Sequence, residues 1–131
     1  MKNLLILTAV IEAVAGLVFL ALPSVAAMLL FSSSLNAPIA MTVGRLTGAA
    51  LITLGVACWL ACLDVESRAA TGLVAAMLFY NLAASVILAS AGIGLGLVGV
   101  LLWLGVFFHS AMALWCFACL RTKWVNAGKE K

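Results

Sequence analysis

A few polar side chains stand inside otherwise apolar runs. They are Glu12 in TAVIEAVAGLVFL (8–20), Arg45 in MTVGRLTG (41–48), Tyr80 and Asn81 in MLFYNLAAS (77–85), and His109 in GVFFHSAM (105–112). A carboxyl and an imidazole are the groups that exchange protons near neutral pH. An arginine is a fixed cation that anchors an anion or balances a carboxylate, and a phenol and an amide donate hydrogen bonds. Brought together, these residues make a polar chamber. Glu12 and His109 would act there as a proton-exchanging pair, Arg45 as counter-charge or anion anchor, and Tyr80 and Asn81 as donors. The plainer reading is a hydrogen-bonded network that fixes helix order. Such bonds between helices average under about 1 kcal/mol in membranes, a weak reason to bury an acid, so Glu12 favours function. Tyr80 and Asn81 fit the structural role better. Arg45 fits equally a chamber or a side chain reaching to the interface along its own stem.

A second constellation is Cys58, Cys62, Cys116 and Cys119, an i,i+4 pair and a CxxC. If their helices touch, the thiols converge. Four thiolates suit zinc or an iron–sulfur centre, and a CxxC supports disulfide exchange. Ligand cysteines favour loops, however, and cysteine is also a small apolar residue that packs well, which is the preferred reading. With one histidine and no second acid in the apolar runs, a carboxylate-rich metal cage is excluded. The residues specify no cofactor. The glycine-rich run AGIGLGLVG (91–99) lacks the preceding strand that a nucleotide fingerprint needs, and reads as a flexible loop.

The elements that must position these groups follow from composition. The 131 residues are 67% hydrophobic and 8% charged, with a mean hydropathy of +1.32. A domain this small has too little interior to hide so much apolar surface from water. The chain therefore reads as one all-α domain, an integral membrane four-helix bundle. Its spans run approximately Leu4–Leu22, Ile39–Leu63, Ala69–Ser90 and Leu97–Leu120, each near the ~20 residues that cross a bilayer. Pro23 ends the first, and MLLF (28–31) is too short to span and lies at the interface or re-enters. Ser24-Val25-Ala26 resembles a signal-peptide cleavage site, but the apolar run before it is longer than a usual signal core and carries Glu12, so the helix is read as retained.

Lys2, Arg68, Arg121, Lys123, Lys129 and Lys131 fall on one side of this arrangement and only Arg45 toward the other, which places both termini in the cytoplasm. Trp59, Trp115 and Trp124 fall toward that same face, as in an aromatic belt. The net charge of +3 reflects this bias and suits anionic lipid, with no nucleic-acid patch behind it. The short connections leave no room for a soluble catalytic domain. Helix two carries Gly44 and Gly48 in a GxxxG spacing, continued by Gly55, and offers close packing within the bundle or a contact with a second copy or a larger membrane complex. Gly72, Ala76, Tyr80 and Ala83 mark one face of the third span, and Gly105, His109, Met112 and Cys116 one face of the fourth.

On the whole layout the chain resembles the small four-helix inner-membrane proteins of bacteria. It is also similar to DoxX-like proteins in its first helix ending at Pro23, the short apolar stretch after it, and Arg45 with Gly48 and Gly55. That resemblance implies a multi-pass protein of the bacterial cytoplasmic membrane, in a group with links to quinone or thiol metabolism. IEAVAG (11–16) resembles the first-helix motif of small multidrug-resistance transporters, whose lone membrane glutamate would correspond to Glu12; His109 and Arg45 have no counterpart there. The CxxC of the last helix is similar to that of vitamin K epoxide reductases, but here it faces the other compartment. The first functional reading is an accessory subunit, or a binder of a small lipophilic ligand inside the bundle, without a conventional enzyme site. The second is a proton-coupled small multidrug-type transporter using Glu12. The third is a membrane thiol or quinone redox component.

Overall fold

A proline both ends and begins helix in this chain. In the computed structural model, which describes residues 1–129 and the side chains of residues 1–125, α1 runs Lys2–Ala21 and α2 runs Pro23–Phe31. Pro23 cannot donate a hydrogen bond back into α1, yet its fixed φ suits the first position of the next helix. MLLF is thus the second half of a nine-residue helix, which ends at Ser32 in a left-handed conformation. Then follow α3 (Pro38–Ala61), α4 (Arg68–Gly94) and α5 (Leu102–Lys129). Ser67 caps α4 by accepting a hydrogen bond from the Ala70 amide. The described residues contain no strand. Lys131 lies outside them, as does the Lys129 side chain.

α1, α3, α4 and α5 are each long and apolar enough to cross a membrane, at the places the hydropathy indicates. Two boundaries differ from expectation. α4 continues through Ala91–Gly94, and α5 starts at Leu102 rather than Leu97. The break falls where Gly96 takes a positive φ of 65°, with the amides of Leu95 and Leu97 both donating to the Ala91 carbonyl. The segment after it is strapped to α2: the Leu101 amide donates to Leu29 O, Ser32 Oγ donates to Val98 O, and Gly99 lies directly on the Leu30 backbone.

The long helices pack as two close pairs, α1 with α3 and α4 with α5. In the first pair glycine allows backbone contact. A Cβ on Gly16 would stand 2.7 Å from Gly48 O, and one on Gly48 would run into the Leu20 backbone. Gly44 rests on Pro23 and Gly55 on Ala9 and Ala13. All three glycines of the expected stripe are thereby used inside the chain, so a contact between copies would draw on other residues. The pairs meet through one apolar layer toward the termini, made of Leu4, Leu5, Cys58, Cys62, Val74, Met77, Met112, Cys116 and Leu120. On α4 the buried side is Ala70, Val74, Met77 and Asn81, while Gly72 and Ala76 face outward. The stripe expected through Gly72 and Ala76 is therefore turned by about 100°, one residue of helix.

Outside these contacts the surface is apolar. Only 17–33% of each span is buried within the chain, and Phe79, Ile87, Leu104 and Phe107 point outward. A water-soluble bundle would hide such side chains, so the fold suits a multi-pass membrane protein.

Candidate functional site

Glu12 projects from the inward stripe of α1 (Leu5, Ala9, Glu12, Gly16) and is 4% exposed. Beside it, α4 supplies Tyr80 and Asn81, and α5 supplies His109 one turn before buried Met112. The Tyr80 hydroxyl donates to Glu12 Oε2 at 3.5 Å, the outer limit of a hydrogen bond. His109 turns to Asn81, with Nδ1 and Oδ1 2.8 Å apart. Asn81 Nδ2 donates to the Met77 carbonyl at 2.7 Å, which fixes the amide and leaves its oxygen facing the ring. An oxygen there needs a donor, so the hydrogen bond is made by Nδ1–H. The tyrosine ring meets the imidazole edge-on, centroids 5.7 Å apart, and Phe108 meets it from another side at 5.5 Å.

The expected direct pairing of Glu12 with His109 is not formed. The carboxylate and the imidazole hold separate hydrogen-bond partners, and Tyr80 bonds the first and meets the second edge-on. The reason is that α4 offers a phenol to the carboxylate and an amide to the imidazole.

Arg45 departs from the expected chamber altogether. Gly44 and Gly48 occupy the inward face of α3, and a residue next to Gly44 points about 100° away. Arg45 is exposed, and among the described residues the ion pair formed is Lys123–Glu66 at 3.4 Å, which ties α5 to the α3–α4 connection.

Two serines that the sequence reading passed over extend the polar layer. Ser85 Oγ and Ser110 Oγ lie 3.2 Å apart, and Ser110 also donates to Val106 O. Ser85 is four residues after Asn81, on the same helix face, and that spacing was the available signal. They form the base of an open apolar groove of about 420 Å³ between α4 and α5, walled by Leu82, Val86, Leu114 and Phe117.

The four cysteines do converge on one layer, with Cys58, Cys62 and Cys116 buried and Cys119 packed against them. They are free thiols, and Cys62 Sγ donates to Trp59 O at 3.0 Å. Among the described residues no three histidine, cysteine or acidic side chains form a group that could hold a metal ion.

What distinguishes the cluster chemically is spare accepting capacity. A carboxylate has room for about four hydrogen bonds, and Glu12 makes one long one. Glu12 Oε1 forms no hydrogen bond within the described residues and is not fully enclosed. His109 Nε2 likewise forms no hydrogen bond within the described residues. The apolar layer of leucine, methionine and cysteine lies on the terminal side of these groups.

No family model, no curated protein and no solved structure matches this chain.

Proposed function

We propose that this chain is a multi-pass protein of a bacterial inner membrane, with both termini in the cytoplasm and a layout like that of DoxX-like proteins. In this reading it binds a small lipophilic ligand at the Glu12 layer, alone or as an accessory subunit of a larger complex. The observation that carries the reading is a carboxyl group 4% exposed that keeps an oxygen without a partner among the described residues. An acid in an apolar bundle costs several kcal/mol when ionised unless something compensates it. A ligand with a cationic or hydrogen-bond-donating head and an apolar body supplies that compensation. His109 Nε2 adds a polar atom without a hydrogen bond among the described residues, and the groove by Ser85 and Ser110 gives apolar surface on α4 and α5.

Tetraphenylphosphonium serves as a probe of the lipophilic-cation class. Titrated calorimetrically into the full-length protein in detergent, it should bind saturably. Glu12→Gln should weaken binding at least tenfold and Glu12→Asp less, since only the former removes the charge. Equal binding by Glu12→Gln and the parent would contradict the reading. Glu12 Oε1 and His109 Nε2, without hydrogen bonds among the described residues, also fit a proton-coupled carrier. Uptake of the same probe into proteoliposomes, driven by a pH gradient and lost in Glu12→Gln, would move the function from binding to transport. A thiol-redox role has the least support, because Cys58 and Cys116 are wholly buried.

A further inference from the structure

Five of the six threonines in this chain close on their own backbone. Thr42, Thr47, Thr53, Thr71 and Thr122 each donate to the carbonyl four residues back, at 2.9 or 3.1 Å. That bond is the local resting place of a hydroxyl in an apolar helix. Thr8 does not take it. It is 3% exposed and forms no hydrogen bond among the described residues, and its oxygen is not fully enclosed. The threonines that spend their hydroxyls on the helix are exposed or half-buried, and the one left unspent is the one turned into the bundle.

Thr8 precedes Glu12 by four residues, so the two share the inward face of α1, about 6 Å apart along its axis. Both are more than nine-tenths buried, and each keeps an oxygen without a partner among the described residues, Thr8 Oγ1 and Glu12 Oε1. Leu4, Leu5 and Ala9 complete the stripe around them and have no donor to offer. Tyr80 spends its proton on Glu12 Oε2, which leaves the lone pairs of the phenol oxygen as acceptors. A hydroxyl, a carboxylate oxygen and a phenol oxygen are thus grouped about one buried acid. Their complement is a cation that carries several N–H donors in a compact head. A primary ammonium has three, whereas a quaternary ammonium or a phosphonium meets the charge and donates nothing.

We propose that the head recognised at Glu12 is a protonated primary amine, and that Thr8 selects it over cations without N–H groups. One N–H donates to Glu12 Oε1, a second to Thr8 Oγ1, and the third turns to the Tyr80 oxygen. The proposal rests on the ligand reading of Glu12 and narrows it from lipophilic cations in general to those that donate hydrogen bonds.

Calorimetric titration of the full-length protein in detergent with adamantylammonium and adamantyltrimethylammonium tests it, at about pH 7, where an alkylamine is protonated. The two probes share charge and apolar body and differ in their N–H groups. The parent should bind the primary ammonium about tenfold more tightly. Thr8→Val keeps the shape without the hydroxyl; it should erase most of that preference by weakening the primary ammonium alone, while Thr8→Ser retains it. Glu12→Gln should weaken both probes. Without ligand, the thermal midpoint of Thr8→Val should be no lower than the parent's, because the hydroxyl has no partner to lose. A clear fall would mean that the hydroxyl is bonded within the protein, and would overturn the assignment. Equal binding of the two probes by the parent, or a preference that survives Thr8→Val, would also overturn it and leave the Glu12 site standing. Probe binding that Glu12→Gln leaves unchanged would overturn the Glu12 site and the amine proposal with it.

Discussion

A depth along a helix was legible for each polar residue, but a direction around it was not. Glu12 announces itself as an acid in an apolar run, and its burial follows from its place on one stripe with Leu5, Ala9 and Gly16. Its partner could not be read, because residues at similar positions along different helices meet only if they also face one another. Tyr80 and Asn81, adjacent on α4, divide the task, one bonding the carboxylate and the other the imidazole. Arg45 shows the same limit: one residue past Gly44 it leaves the bundle. The geometry predicts where energetic coupling resides. Asn81→Leu strands the His109 ring and His109→Leu strands the Asn81 oxygen, each costing about 1–3 kcal/mol, whereas the double variant leaves an apolar pair and costs less than their sum. Glu12→Gln combined with His109→Leu should be nearly additive. Thermal midpoints in detergent for both double-mutant cycles decide this, and strong coupling in the second with none in the first would contradict the assigned hydrogen bonds.

The long helices were legible from hydropathy, since apolar runs of this length have few other uses, and Pro23 marked its break correctly. Less legible was how glycine is spent. Gly48 and Gly72 look alike in sequence, each a glycine in an apolar helix, yet one meets the Leu20 backbone and the other meets nothing within 4 Å. Only the partner helix distinguishes them. Gly48→Ala should force α1 from α3 and destabilise the protein by about 1–3 kcal/mol, the usual cost of overpacking. Gly72→Ala should instead stabilise by up to about 1 kcal/mol through helix propensity. Opposite shifts in thermal midpoint are expected; shifts of the same sign would mean that α1 and α3 do not pack through Gly48. The glycine-rich run from 91 to 99 misled for a related reason. Its first glycines sit in α4, and only Gly96, with its positive φ, turns the chain.

At the scale of the molecule, two glycine- and serine-fitted helix pairs close against each other through one apolar layer near the termini, and the polar cluster lies beyond that layer. Composition made the apolar exterior legible, because so few of the span residues can be buried in so small a chain. It could not show that Glu12 keeps an oxygen without a partner among the described residues, since that depends on which residues from α1, α4 and α5 share a level. The account predicts that Glu12 is reached from the apolar phase and competes there with a lipophilic cation. Treatment of the full-length protein with dicyclohexylcarbodiimide, an apolar reagent that attacks protonated carboxyl groups, followed by intact mass, tests this directly. One adduct should form, be absent in Glu12→Gln, be slowed by saturating tetraphenylphosphonium, and not form with a water-soluble carbodiimide at that residue. Labelling of Glu12 that tetraphenylphosphonium leaves unchanged, or that the water-soluble reagent achieves equally well, would contradict a ligand site at Glu12.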